Sequence, residues 1–384
     1  MEPLPSSVLP AGVRGRILPG INGLDIHVLE AGFEQPGPNG SKRPAVILFH
    51  GFPELAYSWR KVLPALGAAG YHAIAPDLRG YGRTTGWNAD YDADQIGFRF
   101  VNLLRDAIGV LHALGHRTAE AAVGHDFGAS VASYAALARP DIFKRMVLMS
   151  APFGGPAAVP FDTAGKPPAP AAPDIHAAMA ALPRPRKHYQ WYQSTREANE
   201  NQWHAQQGLH DFLRAYYHYK SADWKANKPH GLKGWTAEEL AKMPTYYIMD
   251  LAEGMAETVA KEMPSPAEIA NNTWLPDRDL RVYSDEFKRT GFQGGMNWYR
   301  VRTTGLVGRE YEAFTGRTID VPATFISGKS DWGNYQTPGA LERMQESACT
   351  NMKEIHFVEG AGHWVQQEQA DEVNRLLLRF LKTT

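Results

Sequence analysis

The stretch Val123-Gly124-His125-Asp126-Phe127-Gly128 has the residue types of a strand end, a turn that demands small neighbours, and a helix start. Such a turn lifts one side chain off the carboxyl edge of a sheet and into a pocket, the layout of a nucleophile elbow. The lifted residue here is Asp126, a carboxylate where serine is the common occupant. Attack by a carboxylate on an ester carbonyl gives a reactive anhydride, whereas attack on a saturated carbon gives an ordinary ester that water can cleave. The plainer reading is an aspartate that caps the next helix.

Ligands of open α/β sheets sit at the carboxyl ends of strands. Three other strand ends carry residues of interest: His50-Gly51-Phe52-Pro53-Glu54, Ser327-Gly328-Lys329-Ser330-Asp331 and Gly360-Ala361-Gly362-His363. Asp126, Asp331 and His363 thus follow one another as nucleophile, acid and histidine. Taken singly, Asp331 reads as a turn or helix cap and His363 as a surface histidine in a Gly-rich turn. Ser150-Ala151-Pro152-Phe153, the other strand end that could supply an acid, has none, so Asp331 is the better partner for His363. His125 reads as structural rather than as a ligand.

The turn Asn22-Gly23 predicts a hairpin between Arg16 to Leu18 and Leu24 to Leu29. Strands are expected at Ala45 to Phe49, Tyr71 to Ala75, Met146 to Met149, Ala323 to Ile326 and Glu354 to Val358. Helices are expected over Tyr57 to Ala69, Ala93 to Leu114, Phe127 to Ala138, near Leu341, and over Ala370 to Leu381. This alternation argues for an α/β fold, a mostly parallel sheet with helices on both faces. Pro36 to Lys42 reads as a loop, and Ala151 to Pro185, rich in Ala, Pro and Gly, as a connector leaving the sheet. Arg186 to Thr304 is helical in pattern and aromatic, with Thr236 and Glu239 as a capping box. The expected organisation is a core in two parts, residues 1–150 and 311–384, interrupted by a helical lid and its connector at 151–310.

With 40 basic and 41 acidic side chains in 384 residues, no charge excess points to nucleic acid or an anionic membrane, and a small neutral partner is expected. The single cysteine, Cys349, leaves no internal disulfide and fits a reducing compartment. Met1 to Gly20, broken by four prolines, has no apolar run of signal-peptide or membrane-spanning length, so a cytoplasmic protein is expected. No His-Glu-x-x-His, thiolate cluster or Gly-rich phosphate loop is present, so neither metal nor cofactor is expected.

From about Ile17 to Leu381 the chain resembles the epoxide hydrolases of the α/β-hydrolase superfamily. The resemblance rests on His50 to Glu54, Asp77-Leu78-Arg79-Gly80-Tyr81-Gly82, Gly124 to Gly128, Gly291 to Arg300 and Gly362-His363-Trp364. It implies an α/β-hydrolase fold with a helical cap, and two lid tyrosines that bind the epoxide oxygen. Tyr299, within Asn297-Trp298-Tyr299-Arg300, matches one of them; Tyr189, opening Tyr189-Gln190-Trp191-Tyr192, matches the other in preference to Tyr192. Both tyrosines also read as core aromatics. The implied route is hydrolysis of a small apolar epoxide to a diol, through an ester on Asp126 cleaved by water that His363 activates and Asp331 supports. The backbone N–H groups of Phe52 and Phe127 would form the oxyanion hole, with Phe52-Pro53 expected as a cis peptide. The alternatives are a dehalogenase using the same nucleophile, although Phe127 stands where relatives place tryptophan, and a non-catalytic ligand-binding protein on this fold.

Overall fold

The computed structural model describes residues 1–34, 41–156, 174–306 and 308–384. Most of the expected Pro36 to Lys42 loop and the middle of the Ala151 to Pro185 connector lie outside the described residues. Ten strands are present among them: β1 (Val13–Ile21), β2 (Leu24–Ala31), β3 (Ala45–Phe49), β4 (His72–Pro76), β5 (Ala121–His125), β6 (Met146–Met149), β7 (Arg186–His188), β8 (Ile248–Asp250), β9 (Ala323–Gly328) and β10 (Met352–Val358). Eight form one sheet in the order β1-β2-β4-β3-β5-β6-β9-β10. Within that sheet only the β1–β2 and β2–β4 pairs are antiparallel. Strands β3 to β6 are buried along their whole length, which is why they read as continuous apolar runs. The edge strand β10 exposes Lys353 and Glu354 instead.

The chain winds one way from β3 to β4 and the other way from β5 onward, so β3 and β5 are neighbours across the point where strand order reverses. Their carboxyl ends diverge there and leave a crevice, into which the Phe52 and Asp126 loops open.

Two expected helices are shorter than their patterns. Over Tyr57 to Ala69 the chain forms a 3-10 turn, Ala56–Trp59, and then helix Leu63–Ala68, which has Pro64 in its first turn. Over Ala93 to Leu114 the helix is Phe100–Ala113. Upstream, the Asp90 and Asp94 carboxylates take the N–H groups of Asp92 and Ile96, local bonds that compete with helix.

Between β6 and β9 the described chain is mainly helical, and its β7–β8 ribbon was not legible as a pattern. Helix Ile175–Ala180 falls inside the stretch read as connector. Thr236 does accept the Glu239 N–H, but the Glu239 carboxylate turns to the Lys233 N–H, so the reciprocal half of that box is missing. A complete capping box forms at Ser265 and Glu268. Helix Gln293–Thr303 lies directly on the core: a Cβ on Gly294 would fall 1.9 Å from the Gly80 carbonyl oxygen, and one on Gly295 would fall 2.8 Å from the Phe52 ring. The glycine pair lets this helix seat Tyr299 over the crevice. Among the described residues no helix is long and apolar enough to cross a membrane.

Candidate active site

Asp126 follows β5 with φ 54° and ψ −118°, a conformation that costs a non-glycine residue about 1 to 3 kcal/mol. The neighbouring glycines make it possible. A Cβ on Gly124 would lie 2.1 Å from the Gly128 carbonyl oxygen, one on Gly128 would lie 2.1 Å from that of Phe49, and one on Gly51 would lie 2.3 Å from Asp126 Cβ. Although Asp126 occupies the N-cap of helix Phe127–Ala138, its side chain makes no capping bond, so the capping reading fails. Its Oδ1 instead accepts the Phe52 N–H at 3.1 Å, and its Oδ2 lies 3.5 Å from His363 Nε2. Phe127 is the first residue of the helix, where no helical carbonyl can take its N–H. Phe52-Pro53 is cis.

His363 is fully buried rather than a surface residue. Its Nδ1 donates to Asp331 Oδ1 at 3.1 Å, while Nε2 has no hydrogen-bond partner and faces Asp126. Asp331 satisfies both of its readings: it caps the turn Trp332–Asn334 by accepting the Gly333 N–H at 2.7 Å, and it holds the imidazole. Burial alone would push the Asp126 carboxyl up. The facing His363, then the charges of Lys220 and His125, outweigh burial and hold it well below the usual carboxylate range. Asp331 behaves alike: burial opposes, and His363, the Gly333 N–H and Lys220 hold it low. The Lys220 ammonium is enclosed by Tyr216, Tyr246, Tyr247 and Trp364, with centroids 5.2 to 5.8 Å away.

Opposite the carboxylate stand Tyr189 and Tyr299, with ring centroids 5.8 Å apart. The Tyr299 ring packs edge-on against Phe127 at 4.6 Å and Phe52 at 5.3 Å. The Tyr189 hydroxyl donates to Gln336 Oε1 at 3.1 Å and accepts from Gln190 Nε2 at 3.2 Å. Burial, the largest cause, raises both phenols above their ordinary value, so both remain donors. Asp126, Tyr189 and Tyr299 line one cavity of 60 Å³. Tyr192, one helical turn on, is buried elsewhere, with Lys187 Nζ 4.6 Å from its ring.

Two supporting groups were not assigned roles in the sequence. Glu54 Oε2 lies 2.5 Å from His125 Nδ1, and His125 Nε2 donates to the His363 carbonyl at 2.7 Å, so both ring nitrogens face acceptors and the imidazolium is favoured. Burial opposes that charge, and Glu54 overcomes it, raising His125 above its ordinary value. Glu54 also takes the Gly51 N–H at 2.9 Å, tying the Phe52 loop to the His363 loop. The Glu368 carboxylate accepts the N–H groups of Gly362, Trp364 and Ala222. The available signal was a lone acid in the otherwise apolar His50 to Glu54 motif and a histidine beside the nucleophile; Glu368 gave none.

A mostly parallel sheet with an acid, an acid and a histidine after β5, β9 and β10 defines an α/β-hydrolase, and residues 44–370 match the alpha/beta hydrolase fold family. Within it the chain is similar to epoxide hydrolase B of Mycobacterium tuberculosis, 32% identical over 350 residues covering 90% of this chain and 93% of that protein. An epoxide hydrolase of Caballeronia sordidicola is 32% identical over 365 residues, covering 94% and 92%. The structure of an epoxide hydrolase from an endophytic Streptomyces superposes with a TM-score of 0.74 at 31% identity, covering 97% of this chain and 96% of that one. The chain belongs to the epoxide hydrolases of the α/β-hydrolase family.

Proposed function

We propose that this enzyme hydrolyses an epoxide to a vicinal diol through a covalent ester on Asp126. The observation that carries the mechanism is the division of labour at that carboxylate: Oδ1 rests on the Phe52 N–H, Oδ2 is free of backbone donors, and His363 Nε2 waits 3.5 Å away with no other partner. Asp126 Oδ2 attacks an epoxide carbon, the carbon–oxygen bond breaks, and Tyr189 and Tyr299 donate to the oxygen as it gains charge. Water then loses a proton to His363 Nε2 and attacks Cγ of Asp126. The resulting oxyanion on Oδ1 meets the N–H groups of Phe52 and Phe127. The ester breaks to release the diol, and Asp331 stabilises the imidazolium meanwhile. The helical segment 151–310 acts in this reading as the lid that brings both tyrosines.

A dehalogenase reading gains no support: the Phe127 side chain offers no donor to a leaving halide, and the Trp298 indole N–H is held by the Arg79 carbonyl at 2.8 Å. A cytoplasmic setting fits the single, buried Cys349. The test is a single turnover in oxygen-18 water, in which label is expected in the Asp126 carboxylate and not in the first diol. Label going directly into the diol would refute the covalent route.

A further inference from the structure

Lys220, the last residue of helix Leu209–Lys220, is 3% exposed, yet its ammonium makes no hydrogen bond and no ion pair among the described residues. The buried arginines Arg60, Arg79, Arg186 and Arg214 all reach a carboxylate. Around Lys220 the rings of Tyr216, Tyr246, Tyr247 and Trp364 take the place of water. Their attraction, and that of the helix carboxyl end, return only part of the hydration that a buried ammonium gives up. A methionine would close this helix at less cost to the fold, so the charge calls for another reason.

That reason lies in where the cage sits. The Lys220 carbonyl accepts the His363 N–H at 2.9 Å, and a Cβ on Gly362 would fall 2.6 Å from that carbonyl oxygen and 2.5 Å from the Ser221 carbonyl carbon. Trp364, one wall of the cage, packs edge-on against the His363 ring at 4.6 Å. Glu368 ties the two segments together by accepting the N–H groups of Ala222 and Gly362. From this position the Lys220 charge acts on Asp126, Asp331 and Glu54, each beyond ion-pair distance. Burial lowers the ammonium, and those three carboxylates oppose the effect.

We propose that Lys220 is a positioning residue for ester hydrolysis, its buried charge holding His363 in the neutral form that can take a proton from water. The inference rests on the epoxide-hydrolase reading and deepens its second step. In the resting site the carboxylates of Asp126, Asp331 and Glu54 stand against the cations His125 and Lys220. Forming the ester neutralises Asp126. Asp331 and Glu54 are then balanced by His125 and Lys220, with His363 uncharged. Without Lys220 the same state carries one net negative charge, which draws a proton from solvent onto His363 before water can be deprotonated. The other titratable groups packed here leave this count unchanged. Burial raises the phenols of Tyr216, Tyr217, Tyr246 and Tyr247 well above their ordinary value and lowers His50, so all five stay neutral. Glu368, pushed up to about 8 by burial against the three N–H groups it accepts, is not among the carboxylates that the Lys220 charge reaches.

The experiment follows single turnovers of styrene oxide by stopped-flow tryptophan fluorescence across the pH range and reads the midpoint of the ascending limb of ester hydrolysis. In Lys220→Met, which keeps the apolar stem and removes the charge, the midpoint is expected to move up by about 1 pH unit, with a plateau rate at high pH within about 3-fold of wild type. Lys220→Gln, a second uncharged variant, is expected to shift alike. Lys220→Arg, charged at every pH, is expected to keep the wild-type midpoint. A midpoint unmoved or lowered in the uncharged variants, at whatever plateau rate, would overturn the inference and leave Lys220 a packing residue. An upward shift shared by Lys220→Arg, or failure of both uncharged variants to fold, would overturn it too. Wild-type turnover with no ester phase would overturn the covalent reading itself, whereas an ester phase without the shift would overturn this inference alone.

Discussion

The two lid tyrosines differ in what each must give up to act, and this predicts unequal losses when each hydroxyl is removed. The Tyr299 hydroxyl has no hydrogen-bond partner among the described residues, whereas Tyr189 already donates to Gln336 Oε1 at 3.1 Å. A hydrogen bond to a charged group contributes about 1.5 to 3 kcal/mol, and a neutral one about 0.5 to 1.5 kcal/mol. In Tyr299→Phe the whole charge-assisted bond to the developing alkoxide is lost, about 2 kcal/mol, or roughly 30-fold in the rate of ester formation. In Tyr189→Phe only the difference between the charged and the neutral bond is lost, about 1 kcal/mol, or roughly 5-fold. Both substitutions leave the ring in place, so the packing of Tyr299 on Phe52 and Phe127 persists and no cavity term enters. Stopped-flow tryptophan fluorescence separates the steps, with Trp298, tilted against Phe127 at a centroid distance of 5.7 Å, as a reporter. Ester formation is expected to slow in the stated order while ester hydrolysis is nearly unchanged. Equal losses, a larger loss at Tyr189, or slowing confined to hydrolysis would refute the reasoning.

Replacing Glu54 with Gln leaves the buried His125 imidazolium without its counter-charge, and a loss of about 3 to 5 kcal/mol in a denaturant melt is expected. Because Glu54 raises His125, the native state holds a proton that the unfolded chain releases near pH 6.5. The wild-type stability from this pair is therefore full between the ordinary Glu54 value of 4.5 and about pH 6.5 and declines as pH rises through the raised His125 value, so the gap between wild type and Glu54→Gln should narrow as the pH is raised above about 6.5. A constant gap would disprove the coupling. Asp126 is held low, so the rate of ester formation should stay flat down to about pH 4, where an ordinary aspartate is half protonated; a fall beginning above that point would contradict the electrostatics. Gly124→Ala places a methyl group 2.1 Å from the Gly128 carbonyl oxygen, and a stability loss of about 3 kcal/mol or more, or failure to fold, is expected on thermal denaturation. A variant of wild-type stability would show that the turn can relax.

The order of residues by itself determined the architecture and the candidate site residues. Buried parallel strands need apolar runs, and strand ends are fixed once those runs are found, so Asp126, Asp331 and His363 could be named before any coordinates. Helix limits were less legible where aspartates bind their own backbone, as at Asp90 and Asp94. Only the tertiary structure puts Tyr189, and not Tyr192, on the cavity of Asp126, because the face each presents depends on how their short helix packs against Tyr299. It also joined Glu54 to His125 across 71 positions. Those are properties of distance between residues remote in the chain. Local pattern carries no record of them, because charge neutralisation and hydrogen bonding depend on what lies within a few ångströms in space and not on what is adjacent in sequence.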